Sequence, residues 1–203
     1  MVIIEEKKQK GGFHMWGLKK SFPELITSRF ILRELEPRDA RALYVILSTE
    51  EVMRYYGSDP LLAVYEAKNV IAYFKDQFQQ GKAIRWAICD RETNELVGTI
   101  GFHNWTPQYF RAEIGFEVAP NHWRRGVAHE AASAVIRHGF DEFKFHRISA
   151  LVAPENEGSN RLVQKLGFTE EGLLHDYAYS HGRFMDLTMY RLLKEEWNER
   201  EER

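Results

Sequence analysis

The sequence predicts a single-domain, mixed α/β fold: one sheet of six to seven strands with helices on both faces. Three observations predict it. Short runs of period-2 alternation recur along the chain, and the stretch from Glu113 to Ala132 asks for strand, turn and helix in immediate succession. No internal repeat or low-complexity block interrupts the order β-α-α-β-β-β-α-β-α-β-β.

Residues 1–22 are charged and glycine-punctuated without a sustained period, which describes a loose N-terminal arm. Met15 is a candidate start beside Met1. From Ile26, the segment ITSRFILRELEP alternates Phe30, Leu32 and Leu35 with charged residues, a first strand closed by Pro37. Pro37 and Asp39 ahead of ARALYVIL predict a helix start. A second helix is expected over Ala63 to Gln80, where Val70, Ile71, Phe74 and Phe78 share a face and Gly81 is the stop. The turn-rich link MRYYGSDP holds Tyr55 and Tyr56, which either pack the two helices or wall a substrate groove.

Ile84 to Asp90 and Glu95 to His103 form a hairpin about RETN, and Tyr109 to Val118 continues the meander. HRISALVA is a compact strand. PENEGSNRLVQKLGF supplies a loop, a helix with Leu162, Val163 and Leu166 inward, and a stop at Gly167. Phe168 to Tyr179 and Arg183 to Leu193 are the last strands, about the turn SHG. Residues 194–203 are a charged C-terminal tail, so the domain proper is expected at 23–193.

The chemistry is expected around Glu113 to Ala132. Ile114, Phe116 and Val118 point one way, and Glu113, Gly115 and Glu117 the other. After Pro120, the residues Ala128, Ala131, Ala132, Val135 and Ile136 make a helix face of small side chains able to lie close to a sheet. That helix is expected to open near Trp123, with Arg124, Arg125 and Gly126 in its first turn. Cations there oppose the helix dipole by roughly 0.3–1 kcal/mol each, and a bound anion would reverse the sign. Strand, glycine turn and helix N–H groups make a phosphate cradle; the alternative is a solvated basic turn.

Composition excludes several classes. The 28 basic and 30 acidic residues argue against a nucleic-acid coat or a membrane surface protein. The single cysteine, Cys89, lies in the apolar run IRWAICD as a buried thiol, which with the lack of a signal peptide or long apolar run predicts a cytoplasmic protein. His129-Glu130 begins like a zinc-protease helix, but Ser133 stands where the second histidine is needed, so no metal is expected. Walker, dinucleotide and serine-hydrolase motifs are absent.

RAEIGFEV, HWRRGVAHEA and PENEGSNRLVQKLGF together resemble the two core motifs of the GNAT acetyltransferases, in their RimJ/RimL-like branch. TSRFILRELEPRDA and HGRFMDLTMYRL resemble the same branch, so the likeness spans about residues 27–193. The resemblance implies a strongly twisted mixed sheet and acetyl-CoA as co-substrate. Its pyrophosphate would sit on the segment Trp123 to Ala128, with Arg124, Arg125, Gly126, Val127, Ala128 and the adjoining His129 as cofactor contacts. Trp123 departs from the usual Arg or Gln of that segment. By the same resemblance, Phe116, Glu117 and Val118 would pair with the pantetheine arm as an added strand, and Asn156 would face its acyl end.

The implied reaction is attack of a neutral amine on a thioester, which needs a base for the amine proton and a donor for the thiolate. Glu113 is the candidate base, unless it is solvated or paired with an arginine. Ser159 is the candidate acid, its alternative being a helix N-cap. Backbone N–H groups near Val118 would polarise the carbonyl. Asp186 and Tyr190 either line the acceptor pocket or serve strand pairing. The implied acceptor is the α-amine of a protein or peptide N-terminus. A small amine or aminoglycoside is the alternative, and a non-catalytic acyl-CoA sensor a second. An edge strand in the C-terminal hairpin makes a homodimer an option.

Overall fold

The computed structural model describes residues 21–201. The expected arm falls outside the described residues up to position 20. Its last residue, Phe22, packs on Phe78 and Trp86 at centroid distances of 4.9 and 5.7 Å.

One mixed sheet of eight strands organises the chain. In chain order the strands are β1 (Leu25–Ile26), β2 (Phe30–Glu34), β3 (Ile84–Asp90), β4 (Leu96–Thr106), β5 (Arg111–Val118), β6 (Arg147–Val152), β7 (Thr169–Ser180) and β8 (Arg183–Leu193). Their spatial order is β1-β2-β3-β4-β5-β6-β8-β7, antiparallel throughout except for the parallel pair β5 and β6. The eighth strand is β1, two residues long and too short to show a period. The helices are α1 (Ala40–Leu47), α2 (Glu50–Met53), α3 (Val64–Gln79), α4 (Val127–Asp141), α5 (Glu157–Lys165) and α6 (Lys194–Glu201). A single turn, α2 escapes periodicity for the same reason.

Side-chain alternation divides the sheet between two cores. Ile84, Trp86 and Ile88 of β3, with Ile100 and Phe102 of β4, meet the small face of α4, where Ala131, Ala132, Val135 and Ile136 are fully buried. At roughly 25 cal/mol per Å² of apolar surface, this larger core is the main source of stability. On the opposite face Ala87, Cys89 and Leu96 pack against Leu43, Leu47 and Ile71 of α1 and α3. Cys89 is buried, and burial pushes its thiol up to about 11, which leaves it inert at neutral pH. The charged C-terminal segment folds back as α6 and delivers Trp197 into the larger core.

Candidate active site

The sheet has an opening at its centre. Between β5 and β6 the pairing runs only through Arg111 with Arg147, Ala112 with Ile148 and Glu113 with Ser149, although both strands continue. Ala119 donates its N–H to Val97, and bonded pairs alternate along an antiparallel ladder. The N–H and C=O groups of Ile114, Phe116 and Val118 therefore turn away from β4, towards the opening. An extended ligand can add there as a strand would.

Trp123 lies beside that opening. Its indole N–H donates to the Val118 carbonyl at 2.6 Å, so the residue that departs from the motif occupies one of the free backbone acceptors. It is not helical: Pro120–His122 form a 3-10 turn, Trp123 is extended, and α4 begins only at Val127. The later start has a backbone cause, since Arg124 (φ 60°) and Gly126 (φ 76°) are both left-handed. Arg124, Arg125 and Gly126 are exposed, with Val127 buried and Ala128 and His129 half-buried behind them. Burial, then the charges of Lys165 and Arg200, lowers the His129 pKa, as a locally positive field should. An open cleft of about 560 Å³ adjoins the turn, lined among others by Arg29, His129, Ser133 and Lys165. These features fit a phosphate ester: a left-handed glycine, first-turn N–H groups and cationic surroundings.

The face of β5 turned to α1 and α3 carries two carboxylates in different settings. Glu117 is 5 % exposed and ion-paired with Arg85, and Thr99 donates its hydroxyl to it. Arg85 also donates to Thr99 at 2.7 Å and to the Gly115 carbonyl at 2.8 Å, and lies over Phe74. A Cβ at Gly115 would come 3.2 Å from His103 Cε1 and 3.4 Å from Arg85 Nη1, so the bare glycine eases the packing of both. Glu113, at the point where the strands part, accepts from Asn104 Nδ2 at 3.0 Å and lies 3.5 Å from His103 Nε2. Burial would raise its pKa, but the His103 and Asn104 hydrogen bonds hold it below the ordinary carboxylate range.

At the far side of the opening, Asn156 is the N-cap of α5, its Oδ1 accepting from the Ser159 N–H at 3.1 Å. The cap is thus Asn156, and Ser159 sits inside the first turn. Asn160 donates to the carbonyls of Ala153, Pro154 and Asn156 within 3.1 Å, and Tyr190 donates to Asn160 Oδ1 at 2.9 Å. Tyr190 is 3 % exposed in the α4-side core, away from the Glu113 face. Asp186 meets His175 and the Asp176 N–H at the irregular stretch of β7. Among the described residues, neither Asp186 nor Tyr190 makes a hydrogen bond to Tyr55 or Tyr56.

Tyr55 and Tyr56 lie on the link between α2 and α3. Tyr55 donates to the carbonyl of Glu155 at 3.3 Å, next to Asn156, while Tyr56 packs on the smaller core. Ser180 donates to the Tyr56 carbonyl at 3.4 Å, and His181 reaches Asp59 and Met53, so the β7–β8 tip clasps the same link. Sequence reasoning missed the Arg85–Thr99–Glu117 set, the Asn160–Tyr190 pair and the His103–Asn104 partners of Glu113. Only the first left a signal: one arginine inside the apolar run that precedes Asp90, where a charge requires a partner.

The acetyltransferase (GNAT) domain family matches residues 29–169. The uncharacterized N-acetyltransferase YoaA of Bacillus subtilis is 43 % identical over 85 % of this chain and 98 % of its own. The ribosomal protein uS5-alanine N-acetyltransferase of Escherichia coli is 26 % identical over 90 % of this chain and 98 % of its own. Spermidine N(1)-acetyltransferase of Vibrio cholerae is 24 % identical over 87 % of this chain and its full length. Among solved structures, Mycobacterium smegmatis RimJ in complex with CoA-disulfide superposes with a TM-score of 0.75 at 26 % identity, covering 84 % of this chain and 88 % of that one. Among the described residues, no helix is long and apolar enough to cross a membrane. The chain belongs to the GNAT family, with RimJ-type relatives, and is an acetyl-CoA-dependent N-acetyltransferase acting on an amine.

Proposed function

We propose that this enzyme acetylates the α-amine of a protein or peptide N-terminus, of the ribosomal-protein type, in a direct transfer within a ternary complex in the cytoplasm. The observation that carries the reading is the opening beyond the Glu113–Ser149 pair, flanked by the left-handed turn at Gly126. What supports the peptide acceptor is the uS5-alanine enzyme, similar across nearly the whole of both chains. Residues 23–193 carry the catalytic site, and α6 completes their core through Trp197. A homodimer through edge strand β7, with its exposed Tyr177 and Tyr179, is the assembly we propose.

In this reading Arg124, Arg125, Gly126, Val127, Ala128 and His129 hold the pyrophosphate, and Phe116 and Val118 pair through their backbone with the pantetheine arm; Glu117, expected to join them, instead bonds through its backbone to β4 and supports the strand from behind. Asn156 faces the thioester, and Tyr55 and Tyr56 wall the acceptor; Asp186 and Tyr190 act behind it, through the hairpin and Asn160. The Val118 N–H polarises the thioester carbonyl. As the amine nitrogen bonds to the carbonyl carbon, Glu113 takes its proton, directly or through water. The C–S bond breaks, and the CoA thiolate is protonated by Ser159 or by water.

Competitive acetylation decides the acceptor. The enzyme is given acetyl-CoA with N-terminal peptides, spermidine and an aminoglycoside, and the products are read by mass spectrometry. Peptide α-amine products should dominate, with kcat/KM rising to a plateau above pH about 8, where a free α-amine is deprotonated. Faster turnover of spermidine or the aminoglycoside would replace the peptide reading with a small-amine one.

A further inference from the structure

The turn into α4 has a shape that glycine permits but does not select. Because glycine tolerates φ of either sign, the peptide between Arg125 and Gly126 has two opposed orientations at small cost, and the left-handed Gly126 (φ 76°) marks the one adopted. Only one aims the Gly126 N–H outwards beside the N–H groups of the first helical turn. Carbonyl and N–H of one trans peptide point in opposite directions, so fixing the Arg125 carbonyl fixes the Gly126 N–H.

A side chain from the far end of the sequence does this. Arg29, in the turn between β1 and β2, donates from Nη1 to the Arg125 carbonyl at 2.9 Å. Arg29 is itself gripped by Glu130 of the first turn of α4, whose two oxygens accept its backbone N–H and its Nε, both at 2.8 Å. Burial would raise the Glu130 pKa, but bonds from Thr27 and Arg29 lower it, so the grip is ionic at neutral pH. The Arg29 carbonyl accepts from the Arg91 N–H at 2.9 Å, which ties the same turn to the β3–β4 hairpin. Helix, turn and sheet edge thus close a circuit around one peptide plane.

Resting on the cofactor placement above, we propose that Arg29 is a positioning residue for the pyrophosphate end of acetyl-CoA, acting through the Arg125 carbonyl with Glu130 as its anchor. In this placement the guanidinium holds the carbonyl side of the peptide and the phosphate would take the N–H side; because Arg29 also lines the cleft, its fork geometry has to be separated from its charge. Lysine keeps the charge and loses the fork.

Calorimetric titration of the whole protein with CoA tests this, using Arg29→Met, Arg29→Lys and Glu130→Gln, with pantetheine as a competitor that lacks the phosphates. Loss of a charge-assisted bond that sets the site should raise the CoA Kd about tenfold or more in both Arg29 variants. Glu130→Gln should move it the same way, and it carries the test if an Arg29 variant does not fold. Pantetheine should compete with an unchanged inhibition constant. A wild-type Kd in Arg29→Lys, an unchanged Kd in all variants, or an equal loss for pantetheine would overturn the proposal. Failure of the wild-type protein to bind CoA would remove the cofactor placement itself, an outcome visible before any variant is made.

Discussion

Glu113 and Glu117 share a strand and a face, yet the two ends of β5 do opposite things. Glu117 is sealed, its side chain 3 % exposed, against Arg85 and Thr99. Glu113 stands where β5 leaves β6, 20 % exposed, with neutral or titratable partners. A buried carboxylate with a full-time cation is structural, because protonating it would strand the arginine. One held by an amide and an imidazole at the mouth of an opening keeps lone pairs for a substrate. Environment, not residue type, separates the roles.

Arg85→Met tests the sealed end and should have the largest effect. Leaving Glu117 buried without its cation is expected to cost about 3–5 kcal/mol, read in urea unfolding. Adding Glu117→Leu should restore most of this, because an apolar pair of similar volume replaces the ion pair at little net cost. A double variant as unstable as the single would show that the pair is needed for more than its own neutralisation.

At the open end, Glu113→Gln should slow acetyl transfer by about 100-fold, the lower part of the range for a general base, since a carboxylate with a depressed pKa is a weak proton acceptor. CoA affinity should be unchanged. A rate within twofold of wild type would remove Glu113 from the chemistry. Smaller still is Asn104→Ala, which deletes one hydrogen bond to that carboxylate and should destabilise by about 0.5–1.5 kcal/mol.

The pH dependence sharpens the same contrast. The folded-state pKa of Glu113 is depressed, so its hydrogen bonds stabilise the fold above the unfolded carboxylate pKa of about 4.3 and are lost as pH falls through the lower folded value. Glu113→Gln should therefore lower stability by a constant amount across pH 6–8, and the loss should shrink as pH falls below about 4.5, which flattens the acid limb. A loss that varies within pH 6–8 would place the titrating group elsewhere.

Much of this was legible in the sequence. Strands β2 to β8, α1, α3, α4 and α5 announce themselves by period, because each buries one face against one of two cores. The glycine turn ahead of α4, which we propose holds the pyrophosphate, was legible because strand, glycine and small-residue helix are contiguous. What was not legible is long-range or conformational. Arg29 finds Arg125 across 96 residues, and Tyr190 finds Asn160 across 30, with no spacing rule to connect them. The late start of α4 comes from a left-handed Arg124, a backbone state arginine does not advertise. Ser159 looked like a cap because serine favours that position, and Asn156 took it.

The opening in the sheet also bears on how the protein guards its backbone. Sheet edges are usually defended by charge, bulges or a covering helix, since unpaired N–H and C=O groups recruit other chains. Here two edges face each other in the middle of the sheet, where neither defence fits without filling the gap. The indole of Trp123 covers one carbonyl, that of Val118. The Phe116 and Val118 amides are left to solvent or ligand, so they should exchange with deuterium far faster than the neighbouring amides bonded to β4, until acetyl-CoA binds. In the proposed binding mode the co-substrate would complete the hydrogen bonding of the sheet as well as supply the acetyl group.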